Sequence, residues 1–398
     1  MRSFPRFCCV AIVLAFLATT VFGQPAPVER KVAAPTRLDW QFAARGVGGK
    51  VAPLPAGYDS SKQKYQLYVP KGLAKDKAVG LILFISPGDG PQGWKNWQKV
   101  CEKEGLLFAC PYGAGNAIAP GLRTRIILDV LDDIRRQYKI DPDQTYLTGF
   151  SGGGRMACAI GFALPEYFGG VLPICGTNTI SGTTYLRHRV EDRLSVAFIT
   201  GEKDTNRKEN EDVMTPWFKE IGVRTKLWVV LKMGHAVPSG DVLAEVYAWA
   251  AEDLKRRRED AKARPKLAVT PEEGLSGDEQ AKRLVDAAAA DIKVAARTWR
   301  AIAIFQGVAQ RWGTTQAGKQ AQAVLKDALE NKTILERVSD QGARDEIKSI
   351  SAQARAMERF GNIPKAIEAW TLLANNYDGT PIGDQALENV RRLKRKGK

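Results

Sequence analysis

The amino-acid sequence predicts an α/β fold with a mostly parallel sheet, followed by a smaller all-α region of helical hairpins. Short apolar runs rich in β-branched residues alternate with segments of helical period between residues 65 and 231. This alternation is typical of a parallel sheet covered by helices on both faces. It stops near Leu254, and from Glu279 onward Ala, Lys, Glu, Gln and Leu dominate without a strand pattern. The 398 residues, 44% of them apolar, suffice for two cores of ordinary size.

Seven apolar runs are predicted to be strands. In chain order they are 65–69, 79–85, 106–110, 145–148, 171–174, 196–200 and 226–231. The clearest helix between them is 124–138, whose apolar residues share one face while Asp132, Asp133 and Arg136 take the other. Because chemistry in parallel sheets gathers at the carboxyl ends of the strands, we expect a site at that edge.

The first 23 residues are predicted to be an export signal. Arg2 and Arg6 precede an apolar run at 8–22, and small or apolar residues precede a cleavage point before Gln24. This run is shorter than the roughly 20 residues that span a bilayer, so no membrane span is expected in the mature chain. We therefore expect an exported protein that is periplasmic, attached to the cell envelope or secreted.

Composition divides the rest of the chain into four parts. A Pro-rich leader covers 24–36, the α/β domain covers 37–254, a charged linker covers 255–280 and the helical region covers 281–398. Because the strand pattern ends before the linker, the α/β domain is expected to fold without the tail.

The formal net charge of +15 is spread evenly, with +8 up to residue 250 and +7 after it. Proteins that bind nucleic acid more often concentrate their charge, so no nucleic-acid partner is expected. The chain has two histidines, His188 and His235, which argues against a zinc site built from histidines. No cofactor or metal is expected.

Four cysteines follow the predicted signal, and an exported protein permits disulfides between them. They are Cys101, Cys110, Cys158 and Cys175. A Cys101–Cys110 bridge is one interpretation and four buried thiols are the other, and the sequence leaves the pairing open.

The clearest chemical motif is G-x-S-x-G at 149–153, which follows the predicted strand 145–148 and precedes a helical stretch. In this context the turn is strained, and it exposes the serine oxygen at the carboxyl edge of the sheet. Ser151 is therefore the candidate nucleophile. A phosphate-binding loop fits less well, because the Walker and dinucleotide motifs require other spacings.

A serine nucleophile needs a base and an acid, which follow it along the chain in this arrangement. Asp204 and His235 both lie just past predicted strands, at 196–200 and 226–231. They are the candidate acid and base, with Glu202 and Asp212 as rival acids. His188 lies in an Arg-rich stretch and is interpreted as a loop residue.

Oxyanion stabilisation requires amide donors from the residue after the nucleophile and from an earlier strand–loop junction. Gly152 is the candidate for the first donor. The second is expected in the loop 85–91, from the amide of Asp89 or else that of Gly88.

Residues of about 60 to 255 resemble the alpha/beta-hydrolase esterases of the polyhydroxybutyrate depolymerase and feruloyl esterase type. The segments that carry the resemblance are 65–70, 141–157, 201–204 and 234–235, and Ser151, Asp204 and His235 match the triad of that family. The family has His-Gly at the end of the oxyanion strand, whereas this chain has Pro87-Gly88. The resemblance implies a secreted serine esterase.

The predicted function is an exported carboxylic-ester hydrolase that acts through an acyl-enzyme. The expected substrates are aromatic-acid or acetyl esters on polysaccharide, or short hydroxyalkanoate esters. Trp94, Trp97 and Tyr112 follow strand ends and are candidates for stacking on a sugar or aromatic acid, with packing as the other interpretation.

The tail repeats itself at an offset of 65 residues, between 301–321 and 366–386. Matching Ala, aromatic, Thr and Gly positions resemble tetratricopeptide-like helical hairpins, and the offset predicts a degenerate unit between the copies. The helical region is a candidate surface for a protein partner. Two alternative functions remain open: a cell-envelope interaction protein with an inactive hydrolase core, and a serine peptidase.

Overall fold

The computed structural model describes residues 26–45, 51–74, 76–180 and 184–396. Its centre is a sheet of eight strands in the order β1-β2-β4-β3-β5-β6-β7-β8. Strands β3 to β8 run parallel, β2 pairs antiparallel with β4, and β1 pairs antiparallel with β2. The strands are β1 (Val28–Lys31), β2 (Lys64–Tyr68), β3 (Val79–Ile85), β4 (Leu107–Pro111), β5 (Ile140–Phe150), β6 (Gly170–Ile174), β7 (Ser195–Gly201) and β8 (Arg224–Val230). This is the strand order of the alpha/beta-hydrolase fold, so the predicted fold class is confirmed.

Helices cover both faces of the sheet and continue into a C-terminal helical region. Those of the α/β domain are α1 (Trp40–Arg45), α2 (Trp94–Glu104), α3 (Pro120–Gln137), α4 (Gly152–Ala163), α5 (Thr184–Arg193), α6 (Arg207–Glu209), α7 (Thr215–Glu220) and α8 (Gly240–Ala251). Those after it are α9 (Leu254–Ala263), α10 (Gly277–Asp291), α11 (Thr298–Trp312), α12 (Gln316–Glu330), α13 (Lys332–Phe360), α14 (Ile363–Asn376) and α15 (Pro381–Lys396). A π-helical turn, Asn210–Met214, joins α6 to α7.

Two apolar cores lie on the two faces of the sheet. The smaller one packs α2 and α8 against one face, around Trp97 and Leu243. The larger one covers the other face and continues without interruption into the C-terminal helices, where it includes Leu284, Phe305 and Trp312. The α/β domain and the first C-terminal helices therefore share one core, although the sequence pattern predicts a domain that closes before them.

The predicted charged linker at 255–280 is instead a packed segment. Its helix α9 contains Arg257, which is 0% exposed and donates hydrogen bonds to the Asp143 carbonyl and the Tyr146 hydroxyl. Leu275 donates its backbone N–H to the buried Tyr167 hydroxyl. The charged residues of this segment therefore bind groups in the α/β domain. Local sequence composition does not show such contacts, because their partners are distant along the chain.

The predicted leader at 24–36 contains β1 and a loop that packs on α3. Asp129, Asp132 and Asp133, all fully buried, accept hydrogen bonds from backbone N–H groups at Thr36, Arg37 and Ala33, respectively. The prediction that Asp132 and Asp133 lie on a polar outer face of this helix was wrong. Their carboxylates satisfy backbone donors that no strand or helix pairs.

The two copies of the repeated motif form two helical hairpins, α11–α12 and α14–α15. In each hairpin a threonine hydroxyl accepts a hydrogen bond from the N–H of a glycine three residues later: Thr315 from Gly318, and Thr380 from Gly383. A Cβ on either glycine would lie about 2 Å from the carbonyl oxygen of the aromatic residue that ends the first helix, 1.9 Å at Gly318 and 2.1 Å at Gly383. The predicted degenerate unit between the copies is wrong, because one continuous helix, α13, occupies that stretch.

The four cysteines after the predicted signal are free, buried thiols, so the Cys101–Cys110 bridge does not form in this structure. The predicted export signal at 1–23 lies outside the described residues. None of the helices within the described ranges is both long enough and apolar enough to cross a bilayer.

Candidate active site

Ser151 lies on a sharp turn between β5 and α4, at the carboxyl edge of the sheet. Its φ of 55° and ψ of −120° are unusual for a residue with a side chain, and the turn is held by the Ser151 N–H bond to the Ile174 carbonyl at 2.8 Å. Gly153 allows this turn to approach the end of β3, because a Cβ there would lie 2.0 Å from the Ile85 carbonyl oxygen. The glycines of the motif are thus required by backbone contact.

Asp204 and His235 meet at the same edge of the sheet. His235 Nδ1 lies 2.8 Å from Asp204 Oδ1, and Thr200 donates its hydroxyl to the other carboxylate oxygen at 2.7 Å. The Asp204 side chain is fully buried, whereas that of His235 is 37% exposed. The Phe150 ring, directly before Ser151, packs 4.9 Å from the His235 ring and thereby brings the nucleophile turn next to the histidine.

Burial favours the neutral form of Asp204 and would raise its pKa. Hydrogen bonds from His235 and Thr200 favour the carboxylate more strongly, so the net pKa of Asp204 is lowered. The acid is therefore ionised at neutral pH, in the form that orients the histidine and stabilises its protonated state.

The rival acids lie elsewhere. Glu202 accepts a hydrogen bond from the backbone N–H of Lys232, and Asp212 belongs to the π-helical turn. His188, predicted as a loop residue, lies in helix α5, 4% exposed, and its two ring nitrogens face Glu191 and Asp345. That prediction was wrong, and His188 lies at the junction with the C-terminal helices.

The predicted oxyanion loop follows β3. Gly88 donates its N–H to the Ser86 hydroxyl at 3.1 Å, which leaves Asp89 as the candidate donor of this loop beside Gly152 at the start of α4. The Asp89 carbonyl accepts a hydrogen bond from the Gly113 N–H at 2.7 Å, which ties the oxyanion loop to the loop after β4.

Sequence reasoning missed two residues at this loop, Asn116 and Arg123. Arg123, 5% exposed, donates to the carbonyls of Ala114 and Ser86 and to the side-chain oxygen of Asn116. Burial lowers its pKa to about 10. An arginine in the first turns of an amphipathic helix is ordinarily a surface residue, so the sequence carried no signal for this contact.

The three aromatic candidates differ in position. Trp97 is 0% exposed within the core under α2, so its assignment to substrate stacking was wrong. The half-buried Trp94 packs on Tyr68 with ring centroids 4.4 Å apart. Tyr112 is half-buried after β4, next to the loop that contacts Asp89.

One group of possible metal ligands lies among the described residues. Ligand atoms of Cys175, Asp204 and His235 lie within 4.8 Å of one another. Burial raises the pKa of the Cys175 thiol to about 12, which opposes the thiolate that a metal would require. Because Asp204 and His235 already bind each other, this geometry serves a proton relay better than a metal site.

Comparison with known proteins gives short or distant matches. No protein-family model matches the chain. A poly(3-hydroxybutyrate) depolymerase from Ralstonia pickettii is 32% identical over 91 residues, covering 19% of this chain and 19% of that protein. Among solved structures, a thermostable esterase has a TM-score of 0.38 at 23% identity over 48% of this chain and 58% of its own. An S-formylglutathione hydrolase from Staphylococcus aureus has a TM-score of 0.40 at 12% identity over 57% of this chain and 98% of its own.

The chain thus spans about a fifth of the length of the curated relative it matches. The fold assignment comes from the strand order of the sheet together with the strained serine turn between β5 and α4. The eight-stranded sheet and the helices that cover it form an alpha/beta-hydrolase fold that resembles the esterases of the polyhydroxybutyrate depolymerase type.

Proposed function

We propose that this protein is a serine-dependent carboxylic-ester hydrolase that acts through an acyl-enzyme. The observation that carries the proposal is the bond between His235 and the buried Asp204, formed beside the strained turn that presents Ser151. An acid, a base and a nucleophile in this order and at this edge of the sheet are the parts that acyl transfer requires.

The reaction begins when the Ser151 oxygen attacks the ester carbonyl while its proton passes to His235. The carbonyl π bond opens to an oxyanion, which the amides of Gly152 and Asp89 stabilise. The C–O bond to the alcohol then breaks, and His235 gives the proton to the departing oxygen. Water attacks the resulting acyl-serine through the same base, and the acid product leaves with Ser151 restored.

The form of the site favours an accessible substrate. His235 is 37% exposed and the nearby Leu231 is 77% exposed, so the base lies on an open surface. This supports an ester carried on a polymer or a small soluble ester: an aromatic or acetyl ester on polysaccharide, or a short hydroxyalkanoate ester.

A fluorophosphonate probe and a panel of acetyl, butyryl, feruloyl and p-nitrophenyl esters test the proposal. The wild-type protein should take the label, and Ser151→Ala should take none while keeping its melting temperature. Asp204→Asn should lower kcat on the order of 10⁴-fold, because it permits the wrong histidine tautomer. His188→Gln is the matched control and should keep wild-type kcat.

Turnover in His235→Ala at the wild-type rate would contradict the assignment. A labelled wild type that hydrolyses no ester but cleaves peptides would instead identify a serine peptidase. An unlabelled and inactive wild type would favour the interaction protein with an inactive core.

We also propose that the protein is exported after cleavage before Gln24. The support is the sequence of 1–23, with its charged start and apolar run. The first described strand begins at Val28, so this cleavage removes no described element. Mass spectrometry of the N-terminus of the protein in its native host tests it, and an intact Met1 would contradict it.

A further inference from the structure

We infer that Asn116 is a third donor at the oxyanion site, and that the buried cation of Arg123 orients it. This inference rests on the proposed ester hydrolysis. It adds to the two backbone donors a side chain that neither the motifs nor the resemblance assigns.

The first observation is the position of Asn116. Its side-chain amide lies against the Cα of Gly152, the residue whose N–H is the first oxyanion donor. A Cβ on Gly152 would come within 2.0 Å of Asn116 Oδ1 and 2.9 Å of Asn116 Nδ2. The Asn116 backbone N–H also binds the Pro87 carbonyl at 2.8 Å. Asn116 therefore lies between the two segments that carry the proposed backbone donors.

The second observation is the orientation of the amide. Arg123 Nη1 donates to Asn116 Oδ1 at 3.0 Å. Because the guanidinium can only donate, it fixes the oxygen of the amide toward itself and leaves Nδ2 as the free donor. Asn116 is exposed, and its amide lies against the first residue of α4, directly after Ser151.

The third observation is the unusual charge of Arg123. Its guanidinium is buried, and its contacts in the described part of the chain are two carbonyl oxygens and one amide oxygen, with no carboxylate. A buried cation without a counter-ion is costly in the resting protein. When the oxyanion forms, the same cation polarises the Asn116 amide and so strengthens the hydrogen bond that Nδ2 donates.

A purely structural brace is the competing explanation, because Arg123 also ties the Ser86 carbonyl to the loop after β4. Asn116→Asp separates the two. It keeps the shape and the oxygen that Arg123 binds, and it gives the buried cation a counter-ion. If the contact between Arg123 and residue 116 is only structural, the substitution should keep or strengthen it. If Nδ2 is an oxyanion donor, the substitution removes that donor and adds a negative charge next to the oxyanion.

For Asn116→Asp we expect a melting temperature at or above that of the wild type. We expect kcat on p-nitrophenyl acetate to fall by roughly 10²–10³-fold with little change in KM, as for the loss of one oxyanion donor. Asn331→Asp is the control, because it adds the same charge at the N-cap of α13, where aspartate caps as well as asparagine.

Arg123 is tested as a positioning residue by comparing two variants. Arg123→Lys keeps the charge and should keep more of kcat than Arg123→Gln, with KM similar in both. Equal kcat values in the two variants would overturn the role of the charge.

The outcomes are separable. A wild type without ester turnover overturns the proposed function and this inference with it. Wild-type turnover that Asn116→Asp retains leaves the esterase standing and overturns the inference alone. A parallel loss of kcat and melting temperature in Asn116→Asp would assign the residue a structural role and also overturn the inference.

Discussion

The two copies of the repeated motif have the same local structure but different surroundings. In both, a threonine caps the second helix and a glycine lies against the carbonyl that ends the first. The first copy, α11–α12, packs into the large core of the hydrolase domain, with Phe305 at 0% exposure. The second copy, α14–α15, packs on α13 and forms a separate small core around Trp370.

One matched position shows how the two copies diverge. Gly307 lies where α11 meets the Tyr185 ring, and a Cβ there would come within 2.4 Å of the ring. The residue 65 positions later is Leu372, which is 50% exposed. The repeat thus keeps the same threonine and glycine contacts in the turn of each hairpin. The size of the residue at this helix position depends instead on what packs against it, which is Tyr185 in the first copy and solvent in the second. The first hairpin is therefore a part of the alpha/beta-hydrolase core, and the second packs outside it on α13.

The largest effect should come from removing the hairpins in turn. A chain that ends at Ala263 lacks α10 to α15, and the core that contains Phe42 and Tyr185 is opened to solvent. We expect it to be insoluble, because an apolar patch of that size promotes aggregation. A chain that ends at Phe360 lacks only α14 and α15 and should be soluble with wild-type ester turnover.

Solubility, circular dichroism and kcat measure these outcomes. A soluble, active protein ending at Ala263 would show that the first hairpin, like the second, is not needed to complete the core.

The matched aromatic residues Phe305 and Trp370 should differ next. Phe305→Ala should lower the free energy of unfolding of the whole protein by about 3–5 kcal/mol, because it leaves a cavity in the shared core. Trp370→Ala should speed hydrogen exchange in α14 and α15 and leave the hydrolase domain and its kcat unchanged. Equal losses of global stability in the two variants would show that the second hairpin also belongs to the main folding unit.

The matched pair Gly307 and Leu372 should show a smaller contrast. Gly307→Ala introduces the better helix former, yet it should cost about 1–3 kcal/mol, because the new methyl group collides with Tyr185. Leu372→Ala on the exposed face should change stability by less than about 0.5 kcal/mol. Denaturant unfolding measures both, and a stabilised Gly307→Ala would mean that Tyr185 can move aside at little cost.

The smallest effect should be a loss of stability in acid where the first hairpin packs on α5, through the ion pairs of Asp192. Burial would raise the pKa of Asp192, but Arg300 on α11 and Arg264 lower it on balance. A lowered folded-state pKa stabilises the protein above the unfolded value of 3.8, and this contribution is lost as the pH falls through the folded value.

Between about pH 5 and about pH 3, the melting temperature of the wild type should therefore fall more steeply than that of Asp192→Asn, which has no such group to protonate. Calorimetry at stepped pH measures the difference. Parallel curves would show that this ion pair does not contribute to the acid sensitivity of the junction.

Much of the α/β domain could be predicted from the sequence, because its strands are continuous apolar runs and its triad candidates follow strand ends. The edge strand β1 was missed, since Val28–Lys31 is exposed throughout and pairs through its backbone alone. The packed segment at 255–280 was mistaken for a linker. In the sequence Arg257 is typical of a surface residue, and only the folded structure shows that it donates to the Asp143 carbonyl and the Tyr146 hydroxyl.

The candidate site was likewise predicted only where its residues belong to local sequence patterns. Ser151, Asp204 and His235 each belong to a local sequence pattern, and the structure brings their segments together at one edge. Asn116 and Arg123 belong to no such pattern, and their relation to Gly152 and Ser86 exists only after β3, β4 and α4 have assembled. Trp97 follows a strand as Trp94 does, and only the burial of its side chain separates the two.

The contact between α1 and α11 has a consequence for the order of events during synthesis. The Asp39 carboxylate accepts hydrogen bonds from Arg311 and from the Trp312 indole, 272 and 273 residues further along the chain. A ribosome that adds about 5–20 residues per second needs roughly 14–55 s to make that interval. During this time Phe42, which packs on Trp312, has no partner there. The core of the alpha/beta-hydrolase domain thus cannot be completed until α11 has been synthesised, because α1 packs on a helix that follows the last strand, β8, by about 70 residues.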